Sequence, residues 1–312
     1  MPIMNRIDLT WLADFLALNE SRSFSRAADR RHFTQPAFSR RIQALEQWAG
    51  ASLFERGGRD VTLTEPGRRF LPWAETLLQQ VDEARADVRA GLPEAVDPLR
   101  IAATHSLSLT FFSRWIGAVG RAQAPGAVQL ASESLEGCER LLAEGKAQFL
   151  LAYSHPGVPL RLDRARFTSV SVGGDALVPV ASPALAAKLG GLGAGIHAAP
   201  VIGYSEQSGL GRILRHALEG LIGAAAAAPG FTSHHAGVLK AMACEGRGLA
   251  WLPRVIVHDE LARRDLVEVG AAEWAIPLDI RLFRPNLRLC GKAEAFWASV
   301  LAAGEASRGA DG

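Results

Sequence analysis

Residues 23–49, SFSRAADRRHFTQPAFSRRIQALEQWA, constrain this chain more than any other stretch, because apolar positions recur at helical spacing twice with a break between. Ser23 is placed to cap a helix, its hydroxyl accepting from a free backbone N–H of the first turn. Phe24, Ala27 and Ala28 then share one face and point inward. The break falls around His32 and Phe33. Thr34 stands as a second cap, and Pro36 follows in the first turn, where its missing N–H costs nothing. In the second helix Phe38, Ile42, Leu45 and Ala49 form one stripe. The outer face carries Pro36, Arg40, Gln43 and Gln47, with Gln35 and Ser39 on its flank, and no acid interrupts it before Glu46. Such a face offers donors to phosphate oxygens and to base edges in a major groove. An ordinary amphipathic helix pair with a solvated face satisfies the same spacing.

Charge supports the first alternative. The whole chain carries a formal net charge of only +2, yet residues 22–59 hold eight arginines against Asp29, Glu46 and Glu55. The remainder is therefore net negative. A basic end joined to a near-neutral body is the footprint of a nucleic-acid reader attached to something else. At 312 residues the chain exceeds one small core, so two or more domains are expected.

Residues 8–20 read as a first helix with Leu9, Leu12, Phe15, Leu16 and Leu18 on its apolar side, bracing the next two. Leu53 and Phe54 extend that core. Residues 55–60, ERGGRD, turn on a Gly-Gly tip before Val61, Thr62 and Leu63, which predicts a two-stranded wing. Arg56 and Arg59 would then stand near a phosphate or in a narrow minor groove. Residues 65–91 form one long helical pattern. In it Phe70, Ala74, Leu77, Val81, Ala84 and Val88 step by alternating fours and threes, a heptad seam suited to pairing with its own copy. Pro72 kinks this helix or starts its straight part.

From Leu99 onward short apolar runs alternate with helical ones, which points to open α/β sheets. Two similar sets are visible, so two lobes are expected, about 98–174 with 276–304 and about 175–275. The chain should cross between them near 175–182 and return through 276–283. The last helix is expected over 292–303, with the tail ASRGADG disordered.

FSRAA, TQPAFSRRIQALE, LFER and LTEPG occur in that order and spacing, and together they resemble the DNA-binding half of LysR-type transcriptional regulators. The resemblance is tight over the first quarter of the chain and loose beyond it. It departs at Trp48, where a small or acidic residue is usual, at Pro66, where alanine is frequent, and at Gln148, where many members carry aspartate. It implies a winged helix-turn-helix over 1–65, a linker and dimerisation helix over 66–91, and an effector domain over 92–307 resembling a small periplasmic binding protein. It also implies homotetramers, whereas the 70–88 seam by itself implies only a homodimer. On this basis Gln35, Pro36, Ser39, Arg40, Arg41, Arg56 and Arg59 are the candidate contacts to a dyad site in double-stranded DNA.

Ligands of open α/β sheets bind beyond the carboxyl ends of strands. Thr104, His105 and Ser106 end the first strand, and Ser132 and Ser134 the second. Tyr204, Ser205 and Ser208 hold the corresponding places in the other lobe, and His234 and His235 close its next strand. Serines and threonines there also suit helix capping. As a convergent set they suit a small anionic effector.

Other chemistries are weaker. Residues 203–207, GYSEQ, partly resemble a nucleophile elbow but lack its last glycine, so a hydrolytic or solute-binding α/β protein remains a minor alternative. GLG at 209–211 is an incomplete phosphate loop. Cys138, Cys244 and Cys290 have no metal or disulfide spacing, and redox sensing through Cys138 or Cys244 is a second alternative. No metal or cofactor is expected. The N-terminus lacks an apolar run and no stretch reaches ~18 uninterrupted apolar residues. A cytosolic protein without a membrane partner is expected.

Overall fold

The computed structural model describes residues 7–55, 60–90, 98–120, 126–190, 200–222 and 229–310, and the chain divides into two compact units, Met1–Ala95 and Val96–Gly312.

The first unit contains α1 (Leu9–Ser21), α2 (Phe24–Arg30), α3 (Gln35–Ala49), β1 (Phe54–Glu55), β2 (Thr62–Leu63) and α4 (Glu65–Ala90). Asp8 caps α1 by accepting from the Thr10 N–H at 2.8 Å, and Ser23 caps α2 by accepting from Arg26. Thr34 holds the capping position of α3, but its side chain makes no capping hydrogen bond. His32 takes φ 58° in the turn between α2 and α3. The core gathers around Phe15, whose ring lies 5.1 Å from that of Phe54 and 5.2 Å from that of Phe70. Leu12, Leu18, Ala27, Ala28, Phe38, Ile42, Leu45 and Leu53 complete it. Leu9 and Ala49, which periodicity turns inward, are exposed instead. Each is the terminal residue of its helix, with no further turn beside it, and Gly50 at φ 70° carries the chain away from α3.

β1 and β2 pair antiparallel, Phe54 opposite Leu63, forming the base of the wing. Its tip at 56–59 lies outside the described residues, and with it Arg56 and Arg59. The heptad positions of α4 divide into two groups. Phe70 packs on the core and Ala74 is buried in it, whereas Leu77, Val81, Ala84 and Val88 are exposed.

In the second unit the order is β3 (Leu99–Thr104), α5 (His105–Thr110), α6 (Phe112–Val119), β4 (Val128–Glu133), α7 (Leu135–Ala143), β5 (Phe149–Ser154), β6 (Phe167–Ala181), α8 (Pro183–Leu189), β7 (Ile202–Tyr204), α9 (Gly209–Ile222), β8 (Phe231–Ser233), α10 (Ala236–Cys244), β9 (Ala250–Pro253), α11 (His258–Arg263), β10 (Val267–Glu268), β11 (Ile276–Pro285) and α12 (Gly291–Ala310). β3 lies parallel to both β4 and β5, and β11 runs antiparallel between β5 and β6. The far end of β6 pairs with β9 and β10. A bridge between Val201 and Leu249 joins the parallel pair β7–β8 to β9.

The crossing strand therefore begins at Phe167, eight residues before the expected start, and the division at 174/175 falls inside it. Its first half has little apolar run to signal a strand; pairing with β11 makes it one. α12 likewise continues to Ala310, so the expected disordered tail is helical up to that residue. Gln148, at the position of the usual aspartate, is buried; its Oε1 accepts from the Arg100 N–H at 3.1 Å and its Nε2 lies 3.3 Å from Cys290 Sγ.

Candidate functional site

In the first unit α3 presents Gln35, Pro36, Arg40, Gln43 and Gln47 to solvent, with Ser39 half-buried beside them. Arg41 is differently placed. Its Nε donates to Asp14 Oδ2 at 2.6 Å, it also bonds to Thr10, and its guanidinium lies 4.6 Å from the Phe33 ring centroid. Arg31 donates to the other oxygen of Asp14 at 2.8 Å. Asp14 has 0% exposure, so one sealed carboxylate ties α1 both to the turn and to α3. Arg41 thus positions α3, while Arg40 extends freely from the same turn of helix. An acid between Leu12 and Phe15, on a face that is otherwise apolar, was the available signal for Asp14; its partners lie 17 and 27 residues away and were not readable.

In the second unit the two lobes meet at a small cavity of about 40 Å³. Space of that size holds about three water-sized atoms. From the first lobe Thr104, His105, Ser106, Glu133, Ser134, Leu135 and Tyr153 line it, and from the second Ser208, Gly209, Leu210 and His234. Five of the expected residues (Thr104, His105, Ser106, Ser134 and His234) are thus brought together. Ser132 stands just outside, 3.0 Å from His105 Nδ1. Tyr204 and Ser205 do not line the cavity. They belong to the end of β7, where both hydroxyls are buried without a hydrogen-bond partner among the described residues. Ser208, also expected there, lines the cavity, whereas Glu133 and Tyr153 were missed; Glu133 sits between two serines that were recognised.

Ser134 does cap α7, its Oγ accepting from the Gly137 N–H at 3.1 Å. Thr104 caps nothing: its buried Oγ1 has no partner among the described residues. The glycines of the GLG segment serve close packing. A Cβ on Gly209 would stand 2.6 Å from Leu135 Cδ2, across the lobe boundary, and one on Gly211 2.7 Å from Tyr204 Cβ. Tyr153 donates to Asp175 Oδ2 at 2.8 Å, and burial, reinforced by that carboxylate, raises the pKa of both Tyr153 and Tyr204. His105, His234 and His235 cluster at the cavity edge, the His105 and His235 ring centroids 4.5 Å apart. Burial, then the charges that His234 and His105 would carry, lowers the pKa of His235.

The alternatives find little support in this geometry. Among the described residues Ser205 has no histidine or carboxylate within hydrogen-bonding distance to activate it. Burial pushes the Cys138 thiol up to about 12, so it stays protonated at neutral pH. Cys244 is exposed, and its pKa is also raised, first by partial desolvation and then by Glu260.

Residues 9–68 match the family model for a bacterial regulatory helix-turn-helix protein of the lysR family, and residues 94–305 match the LysR substrate binding domain. The chain is 32% identical over 309 residues to the HTH-type transcriptional regulator YjiE of Escherichia coli K12, covering 96% of this chain and 95% of that protein. Among solved structures it is similar to full-length HypT of Salmonella typhimurium, a hypochlorite-specific LysR-type transcriptional regulator. Identity there is 30% and the TM-score 0.53, over 95% of this chain and 97% of that one. A second similar structure is Vibrio fischeri DarR in complex with DNA, at 28% identity and TM-score 0.52, covering 95% of this chain and 98% of the other.

Proposed function

We propose, on the premise that this chain belongs to the LysR family of bacterial helix-turn-helix regulators, that its effector is a small anion held between the lobes of its second unit. The protein is a transcriptional regulator with a DNA-binding head and an effector-binding domain. What goes further is the assignment of residues. Gln35, Pro36, Ser39 and Arg40 enter the major groove, Arg41 holds α3 in register through Asp14, and Arg56 and Arg59 reach the backbone from the wing. The uncovered heptad positions Leu77, Val81, Ala84 and Val88 zip two copies together, and pairs of dimers form the tetramer. The domain binds its ligand without turning it over, and the protein works in the cytosol, where its operators are.

The observation that carries the anion is the start of two helices at one cavity. α7 begins at Leu135 and α9 at Gly209, one in each lobe, and both residues line it. Free N–H groups and the positive ends of two helix dipoles favour negative charge there. The hydroxyls of Thr104 and Ser208 add neutral donors, and His234 faces them from the second lobe. An occupant touching both lobes shifts the pair toward a closed state, which is how binding changes the spacing of the heads.

Two experiments test this. In a gel shift across salt concentrations Arg40→Ala weakens operator binding and flattens the salt dependence by about one phosphate contact. Unchanged specific affinity would remove α3 from the groove. A thermal-shift screen of the full chain against small carboxylates, phosphate and halides gives an upward shift that Thr104→Val abolishes. A screen with no such response would refute the anion.

A further inference from the structure

We propose that His105, His234 and His235 form a site for a divalent transition ion of the zinc class, which links the two lobes. The inference rests on the effector reading of the inter-lobe cavity and makes its chemistry specific.

One ligand nitrogen from each histidine can be chosen so that all three lie within 4.8 Å of one another. His105 belongs to the first lobe, directly after β3, and His234 and His235 to the second, between β8 and α10. Within the cluster the rings are tilted by 42° and 47°: the His234 and His235 centroids are 4.0 Å apart, and the His105 centroid is 6.2 Å from that of His234. No other group of three or more His, Cys, Asp or Glu side chains with metal-ligating spacing occurs among the described residues. Imidazoles gathered this closely repel one another when protonated, and when neutral they bring nitrogen lone pairs together with too few donors. A borderline cation resolves both conflicts.

The support around His105 fits a ligand. Its Nδ1 is engaged by Ser132 Oγ at 3.0 Å, and Ser132 is in turn 2.7 Å from Ser108 Oγ. Ser108 donates back to the His105 carbonyl at 2.9 Å. A hydrogen bond at one ring nitrogen fixes the ring and leaves Nε2 to coordinate, the arrangement that orients metal-binding histidines. Three imidazole donors suit zinc, copper and nickel over magnesium or calcium. Zinc holds imidazole nitrogen at roughly 2.0–2.1 Å, which sets ligands of a tetrahedral site about 3.3 Å apart. The three nitrogens must therefore draw together, and since one comes from the other lobe, binding favours closure of the lobes.

Three protein ligands leave one position open, as in sites where zinc also takes a water or a substrate. His105 and His234 both line the cavity, so that position is available to the small anion. The ion then supplies the fixed positive charge that neutral histidines do not.

The test uses tag-free, full-length protein stripped with chelator and titrated with Zn2+ against a chromophoric chelator. One equivalent binds per chain, and His105→Gln and His234→Gln each weaken it tenfold or more. His155→Gln, at a histidine whose only ring neighbour among the described residues is His216, leaves it unchanged. Co2+ in place of Zn2+ gives the visible absorption of a tetrahedral site in wild type and loses it in His105→Gln. Melting curves of the metal-free variants match wild type, since none of these rings is in the core. Absence of stoichiometric binding, or binding indifferent to His105→Gln, overturns the site. The anion screen, run on metal-free and Zn2+-loaded protein, separates the two ideas. An anion response in metal-free protein without zinc binding leaves the cavity reading standing and removes the metal. Zinc binding at the histidines with no anion response in either form keeps the metal and removes the anion.

Discussion

Nε of Arg41 lies 2.6 Å from Oδ2 of Asp14, a carboxylate with no exposure to solvent, so α3 is fastened to α1 by a charge pair inside the three-helix core. Such a pair has little net value against an apolar replacement of the same shape, but losing one partner strands the other. Its use here is angular. Asp14 receives Arg31 on one oxygen and Arg41 on the other, which sets the turn and α3 against a common point.

Replacing Asp14 by Ala should therefore destabilise the first unit by roughly 3 kcal/mol, since two guanidinium groups lose a shared counter-charge. Urea denaturation followed by tryptophan fluorescence measures it. A loss under about 1 kcal/mol would show that solvent satisfies Arg31 and Arg41 equally well.

Gly67 explains the glycine of the LTEPG segment. A Cβ there would stand 2.1 Å from the Leu53 carbonyl oxygen, which itself accepts from the Thr64 N–H at 3.0 Å. The obstacle is backbone, so no rotamer change relieves it. Gly67→Ala should cost on the order of 2–3 kcal/mol through forced displacement of α4. It should also lower DNA affinity while leaving the second unit's melting transition in place. A variant as stable as wild type would mean that α4 slides without cost.

Cysteine reactivity should be uneven. At pH 7.5 iodoacetamide should label Cys244 slowly and leave Cys138 and Cys290 unmodified, because both are buried and burial disfavours the Cys138 thiolate. Mass spectrometry before and after denaturation reads the difference. Fast labelling of Cys138 in the native protein would revive it as a redox sensor.

Arg284 is buried and donates to both oxygens of Glu294, at 2.9 and 2.7 Å, and the Leu289 N–H adds a third bond at 2.7 Å. The Arg284 bond chiefly holds the Glu294 carboxyl below the usual glutamate range. A depressed carboxylate pKa contributes stability that is present above the unfolded value and lost as pH falls through the folded one. Glu294→Gln should cost about 2 kcal/mol at pH 7, the scale of hydrogen bonds to a charged group. Wild type and variant should converge as pH drops below about 4.5, the usual glutamate range. A gap independent of pH between 7 and 3 would place the effect in packing and not in charge.

Much of this protein was legible along the chain. The three helices of the head, the wing strands, the long α4 and most strand–helix alternations all announce themselves through local periodicity, which needs only near neighbours. The pieces of the cavity were legible too, because strand ends carry ligands in open sheets: Thr104, His105, Ser106, Ser134 and His234 do converge. Local pattern went wrong where a distant partner decides. The first half of β6 is a strand because β11 lies beside it, and Arg41 is paired with Asp14 because α1 passes there.

The amino-acid order by itself determined which segments are helix or strand, which family the head resembles and where positive charge collects. Those are properties of spacing and composition. Tertiary structure alone decided that Asp14 is sealed between two arginines, that Gly209 meets Leu135, and that three histidines from two lobes share one cavity edge. Each of these joins residues far apart in sequence, and only the closing of the sheets brings them within reach.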